Sequence, residues 1–147
     1  IIAGKPYRPL LEATISRLGS TSPIFVGDRL DTDIRGANRM GIDSLFVFTG
    51  AHGVADLLAA APEDRPNNIA ADLSGLLEPQ REVEASDDHA HCGGVTVSLQ
   101  ADREVHAESI PDDICGQLDA VTAMMALVYG ANAILPNEAA ELFDKLH

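Results

Sequence analysis

The stretch PIFVGDRLDTDIRGANRMGIDSLFVFTG, residues 23–50, decides the fold class. It contains two short apolar runs, IFVG and SLFVF, that are typical of buried strands. Between them lies DTDIRGANRM, which has acidic residues in its first turn and Gly41 just past its end, as helices commonly do. Strands that alternate with helices pair in parallel. The pattern therefore predicts an α/β protein with an open parallel sheet.

The composition limits the partners and the compartment. The 147 residues are 46% apolar, which is enough for a core, and the formal net charge is −13. This charge would repel phosphate backbones and anionic membranes, so we expect neither a nucleic-acid nor a membrane partner. No apolar run reaches membrane-spanning length. Cys92 and Cys115 form no CxxC pair or disulfide framework, which predicts a reducing, cytoplasmic location.

The sequence divides into an α/β region over residues 1–77, a linker over 78–94 and a small α+β extension over 95–147. In the first region, apolar spacing predicts a helix over 6–18, and further strand and helix segments follow residue 50. The linker is assigned because EPQREVEASDDHAHCGG is predominantly polar.

The extension contains a predicted hairpin and a long helix. VTVSLQ alternates apolar and polar residues, and REVHAE is expected to pair with it across Ala101 and Asp102. The segment that follows repeats apolar residues at helical spacing, which predicts a helix with Ser109 as its N-cap. A last short helix is predicted to begin at Asn137.

The opening stretch holds four aspartates, Asp28, Asp31, Asp33 and Asp43. Asp28 directly follows a predicted strand, at the sheet edge where open α/β proteins bind ligands. Mg²⁺ takes one or two protein carboxylates together with water and substrate phosphate, so one Asp at that edge is a candidate ligand. Asp31 lies at a helix start, where capping is the simpler interpretation. The pattern alone leaves metal binding and an ordinary strand-end carboxylate both open for Asp28.

Three segments together resemble a known family. GKP at residues 4–6, VGDRLDTDI at 26–34 and GIDSLFVFTG at 41–50 are similar to the carboxyl-terminal part of haloacid dehalogenase-type phosphatases. The resemblance is narrower to their class IIA branch, which includes phosphoglycolate, nucleotide and glycerol-phosphate phosphatases, and it covers residues 1–77. It implies part of a doubly wound parallel sheet, without the cap and first strands. It also implies a Mg²⁺-dependent phosphoric monoester hydrolase that acts on small phosphorylated metabolites.

The resemblance assigns roles to three residues. Lys5 matches a lysine that lies beside the attacking carboxylate and the transferred phosphoryl group, where an ammonium offsets negative charge. Asp28 matches the aspartate that binds Mg²⁺. Asp33 matches the second acid of the same motif, which supports metal-bound water or the lysine.

One part of the family's machinery has no counterpart in this sequence. The family's Asp-x-Asp-Gly segment supplies the nucleophile, and here only Asp31 and Asp33 have Asp-x-Asp spacing. We expect the nucleophile, the phosphate-binding Ser or Thr and the cap to lie upstream of Gly4, so that the chain is a fragment. Such a fragment is expected to self-associate or to dock with the upstream half. The alternatives are an inactive fragment that serves as a binding or interface module and, less well matched because Lys5 precedes the acids, a phosphate-receiver domain.

The tail has a second resemblance. Residues 85–147 look like part of the acetyltransferase-like extension that actinobacterial members of this branch carry. The acyl-CoA loop of true acetyltransferases, Gln/Arg-x-x-Gly-x-Gly/Ala, does not occur in the tail, so an accessory or interface role is expected. DHAHC, residues 88–92, contains possible soft metal ligands, but loop residues are the simpler interpretation.

Overall fold

Two β-sheets form the framework of the residues that the computed structural model describes, which are 4–131, 133, 143 and 146. The first sheet has three parallel strands in the order β1 (Ile24–Gly27), β2 (Asp43–Val47) and β3 (Asn68–Ala70). Parallel neighbours require crossover connections, which the intervening helical segments supply. The predicted α/β region with a parallel sheet is confirmed at this level.

The helical segments of this region follow the predicted order. They are α1 (Arg8–Leu18), a π-helical turn (Leu30–Ile34) that continues into α2 (Arg35–Met40), α3 (Val54–Leu58), and 3₁₀ turns at Pro62–Asp64 and Leu73–Leu77. Gly41 ends α2 with a φ of 67°, a left-handed conformation that side chains with a Cβ rarely adopt. The sequence signal for this helix end is therefore correct.

The second sheet corrects the predicted linker. It contains β4 (Val83–Ala85), β5 (His89–Cys92), β6 (Val95–Leu99) and β7 (Val105–Ala107), all antiparallel and in sequence order. The predicted β6–β7 hairpin is confirmed. The linker assignment over 78–94 is wrong because β4 and β5 lie within it. All residues of β4 are exposed, and only Ala90 and Cys92 of β5 are buried, so the apolar signal was too weak to identify the two strands.

The long helix, α4 (Ile114–Ala131), packs across the second sheet and begins five residues after the predicted cap. Ser109 is not the N-cap; instead the carboxylate of Asp113 accepts the backbone N–H of Gly116 at 2.9 Å. Pro111 folds back on this first turn, since a Cβ at Gly116 would lie 2.5 Å from its Cγ. The helix predicted from Asn137 lies outside the described residues.

One apolar core joins the two sheets. Phe46 and Leu57 of the first region and Val121 and Leu127 of α4 belong to the same buried cluster. At the junction, the hydroxyl of Tyr129 donates a 2.5 Å hydrogen bond to the carbonyl of Leu57. Within the described residues, no helix combines the length and the apolar character that crossing a membrane requires.

Candidate active site

The carboxyl-terminal edge of the parallel sheet brings Asp28 against Gly50. Asp28 follows the last residue of β1, and Gly50 lies three residues beyond β2. A Cβ added at Gly50 would overlap Asp28 Oδ2 and lie only 2.5 Å from its Cγ, so the absence of a side chain makes room for the carboxylate. Asp28 is partly exposed, and within the described part of the chain its carboxylate has no recorded hydrogen bond or ion pair. It is therefore available to a ligand at this edge.

Lys5 forms an ion pair with Asp33, the acid predicted to support either metal-bound water or this lysine. Lys5 Nζ lies 2.5 Å from Asp33 Oδ1, and the side-chain exposures are 45% for the lysine and 4% for the aspartate. The other carboxylate oxygen of Asp33 accepts the backbone N–H of Arg29 at 3.3 Å. Burial of a carboxylate is costly unless it is paired, and both of its oxygens have partners here. The pair fixes the ammonium of Lys5, which is partly open to solvent, at the start of the α/β region.

Gly27, the last residue of β1, lets Asp33 reach this position. A Cβ at Gly27 would lie 2.5 Å from both Cγ and Oδ2 of Asp33. Contacts of that length do not occur between unbonded carbon atoms, whose optimal separation is about 3.5–4.0 Å. The glycine is therefore required by the close approach of the buried carboxylate.

Asp31 takes no part in this pair and contacts Arg29. The Arg29 guanidinium donates to both Asp31 oxygens, at 3.2 Å from Nε and 2.9 Å from Nη2. This bond is the main reason why the pKa of Asp31 is lowered, and it also raises the pKa of Arg29, to which Asp33 and Asp28 add smaller contributions. No side-chain cap bond is recorded for the turn, so Asp31 pairs with Arg29 rather than capping. Asp43 is exposed at the opposite, amino-terminal end of β2.

His52 is a residue of this edge that the sequence reasoning missed. Its Nδ1 accepts the backbone N–H of Leu30 at 3.0 Å, which links the loop after β2 to the loop after β1. In the sequence, His52 could have been identified by its position two residues after Gly50, close to the end of the predicted strand and therefore at the sheet edge where ligands bind.

The DHAHC segment does not assemble a metal site. His89 and His91 are exposed, whereas Ala90 and Cys92 between and after them are buried, because β5 alternates its side chains between two faces. The Cys92 thiol therefore lies on the opposite face of the strand from both imidazoles, in agreement with the simpler interpretation.

Asp28 could supply one carboxylate ligand to a magnesium ion whose other ligands are water and substrate phosphate. Among the described residues, no group of three or more His, Cys, Asp or Glu could hold a metal ion. Mg²⁺ needs only one or two carboxylates, with waters and substrate phosphate as its other ligands. Asp28 is the carboxylate available for that role, since both oxygens of Asp33 are already bonded.

The chain matches one family model and is similar to two phosphatases of known name. The family model described as HAD-hydrolase-like matches residues 2–76, about half of the chain. The chain is 34% identical over 135 residues to the D-glycerol 3-phosphate phosphatase of Mycobacterium tuberculosis. This match covers 90% of the chain and 37% of the relative. It is 29% identical over 80 residues to phosphoglycolate phosphatase 2 of Arabidopsis thaliana, covering 53% of this chain and 27% of the relative.

A solved structure is similar to both regions of the chain. The crystal structure of glycerol phosphate phosphatase from M. tuberculosis in complex with magnesium matches with a TM-score of 0.64 and 32% identity. The match covers 92% of this chain, so it includes the antiparallel sheet, and 40% of the solved chain. The chain thus spans well under half the length of the relatives that it matches.

Proposed function

Because the chain belongs to the HAD-hydrolase-like family, we propose that it supplies the lysine-bearing and metal-binding part of a Mg²⁺-dependent phosphatase. The substrates are small phosphorylated metabolites of the glycerol phosphate, phosphoglycolate or nucleotide type, and two of these classes appear in the names of the relatives. The observation that carries the proposal is the ion pair between the Lys5 ammonium and the buried carboxylate of Asp33, 2.5 Å apart. Asp33 lies in the segment that directly follows Asp28, so the pair brings Lys5 to this part of the chain.

Each of the three proposed site residues has a separate task. Lys5 offsets the negative charge that collects between an attacking carboxylate and the transferred phosphoryl group. Asp33 acts through Lys5, because its buried carboxylate fixes where the ammonium lies. Asp28 is the metal ligand. Mg²⁺ bound there would neutralise charge on the phosphoryl oxygens and orient the substrate.

The proposed reaction needs a nucleophile that these residues do not provide. No Asp-x-Asp-Gly segment occurs in the 147 residues, and Asp33 is buried and paired. We propose that a segment outside this sequence supplies the attacking carboxylate, the phosphate-binding hydroxyl and the residues that select the substrate. An open sheet edge is consistent with such an association, since β1 pairs only with β2 among the described strands. The same edge could instead pair with a second copy of the chain.

We further propose that the antiparallel sheet and α4 form an accessory, acetyltransferase-like unit without acetyl transfer activity. The similarity to the M. tuberculosis phosphatase over 90% of the chain supports a common architecture that includes this unit. The absence of the acyl-CoA loop from the tail argues against a second reaction there.

The test separates metal binding from catalysis. Mn²⁺, a paramagnetic substitute for Mg²⁺, should broaden the amide NMR signals of residues 27–30, and Asp28→Asn should abolish the effect. Asp43→Asn removes the same charge from the opposite end of the sheet and should leave the broadening unchanged. Unaltered broadening in Asp28→Asn would refute the assignment of the metal ligand.

Hydrolysis of glycerol 3-phosphate and p-nitrophenyl phosphate then tests the activity. We expect the 147-residue chain alone to be inactive, and a longer product of the same gene that contains an Asp-x-Asp-Gly segment to be active with Mg²⁺. Activity of the chain alone, lost in Asp28→Asn, would show that the required nucleophile lies within it. Metal binding by a longer product that hydrolyses no phosphate ester would favour the binding-module alternative.

A further inference from the structure

The loop after β2 contacts the loop that carries Asp28 at two points. Gly50 lies against the carboxylate of Asp28, and two residues later the Nδ1 atom of His52 accepts the backbone N–H of Leu30. The two loops come from neighbouring parallel strands and are joined by no other side-chain hydrogen bond among the described residues. We propose that His52 is a positioning residue, which fixes the backbone directly after Asp28 and so the placement of the metal-binding carboxylate.

The Leu30 amide needs this partner. It lies in the first turn of a helical segment, where backbone N–H groups have no acceptor within the helix. The Leu30 side chain is buried in the core, which fixes the position of this residue. Within the described part of the chain, the acceptor of this amide is His52 Nδ1, at 3.0 Å. Because Nδ1 accepts, the neutral ring carries its proton on Nε2.

His52 is itself held by the start of α3. The next residue, Gly53, donates its backbone N–H to the carboxylate of Asp56 at 2.9 Å, and its carbonyl accepts the N–H of Leu57 at 3.1 Å. Leu57 is fully buried. The imidazole therefore extends from a backbone fixed by a capped helix, and the contact with Leu30 connects that helix to the Asp28 loop.

The hydrogen-bond part of the inference requires no metal or reaction, and only its consequence for metal binding rests on the proposed function. His52→Ala leaves the Leu30 amide without an acceptor, whereas His52→Asn keeps an oxygen acceptor close to the place of Nδ1. We expect hydrogen exchange at Leu30 to become roughly 10- to 100-fold faster in His52→Ala. We expect exchange close to the wild-type rate in His52→Asn.

The experiment combines this exchange rate with Mn²⁺ broadening at residues 27–30 of the same samples. The broadening should require several-fold more Mn²⁺ in His52→Ala and should recover in His52→Asn. The matched control is His106→Ala, an exposed histidine on β7, with no expected change. Circular dichroism and thermal melting identify any variant that does not fold, and His52→Asn provides the test if His52→Ala is such a variant.

Two results would overturn the hydrogen-bond part of the inference. One is unchanged Leu30 exchange in folded His52→Ala, and the other is failure of His52→Asn to restore it. Faster Leu30 exchange with unaltered Mn²⁺ binding would refute the positioning of Asp28. An absence of Mn²⁺ binding in the wild-type protein would instead count against the proposed function, while the exchange data would still decide the His52–Leu30 bond.

Discussion

Replacing Gly50 by Ala should disable the proposed metal site while leaving the fold intact. The added Cβ would overlap Asp28 Oδ2 and lie 2.5 Å from Cγ. Carbon atoms in contact are about 3.5–4.0 Å apart, so the carboxylate must retreat by at least about 1 Å. Metal–ligand distances hold to within about 0.2 Å, so the displaced carboxylate can no longer serve the same site. We expect metal binding to weaken by about 10- to 100-fold, as for other groups that support a ligand.

The stability of the folded Gly50→Ala variant should stay the same or increase, although its metal binding weakens. The severe overlap involves the far end of a partly exposed side chain, which can rotate towards solvent, and the 3.0 Å approach to Asp28 Cβ requires a local shift of only a few tenths of an ångström. Gly→Ala also lowers the entropy of the unfolded chain, which stabilises proteins by about 0.4–1 kcal/mol where the backbone permits a side chain. Gly50 has no positive φ, so its backbone permits one. The free energy of unfolding from urea denaturation should thus equal or exceed that of the wild type.

The assay is Mn²⁺ broadening of the amide signals of residues 27–30, compared with Gly53→Ala. Gly53 is in the same loop, and a Cβ there would have no atom within 4 Å. If Gly50→Ala and Asp28→Asn both bind Mn²⁺ like the wild type, Asp28 is not the ligand. If only Asp28→Asn loses binding, Asp28 is the ligand but the steric argument from Gly50 is wrong. A large loss of stability in Gly50→Ala would show that the carboxylate cannot move aside as argued.

Three further predictions concern the core and the thiols. Tyr129→Phe removes the 2.5 Å bond to the Leu57 carbonyl, so we expect the free energy of unfolding by urea to fall by about 0.5–1.5 kcal/mol. At neutral pH, iodoacetamide should label the exposed Cys115 but not Cys92, whose burial raises its pKa to about 11, as mass spectrometry of the native protein can check. Because the pKa of Cys92 is raised above its ordinary value of 9.0, the stabilisation from its protonated thiol is complete below pH 9.0 and decreases as the pH rises through about 11. Melting temperatures across this range should therefore fall more for the wild type than for Cys92→Ala.

The features that could be predicted from sequence are those with local patterns. The apolar runs around β1 and β2 and the glycine at position 41 indicated a parallel strand–helix–strand unit, which the structure confirms. The pairing of Lys5 with Asp33 spans 28 residues, and only the family resemblance indicated it, because no periodicity relates the two positions.

The roles of Gly50 and His52 could not be predicted because they depend on which loops meet across the sheet. Their contacts with Asp28 and Leu30 join segments about 22 residues apart, and each residue type is ordinary in its own loop. The strands inside the expected linker were missed for another reason. β4 is only three residues long and all of its residues are exposed, so it has no buried apolar face of the kind that identifies a half-buried strand.

Asp28 and Asp33, two of the four aspartates of the opening stretch, differ in how far the fold leaves their carboxylates free to bind a cation. Asp33 is buried behind Gly27, and its two oxygens are occupied by the Lys5 ammonium and the Arg29 amide, so a metal ion would have to displace a bonded partner. Asp28 is partly exposed at the strand end and is limited only by the space beside Gly50. A carboxylate with satisfied oxygens serves to hold a cation already present in the chain, whereas an unsatisfied one can accept a cation from solution. This difference, rather than the number of acidic residues, is the physical basis for assigning Asp33 to Lys5 and Asp28 to the metal.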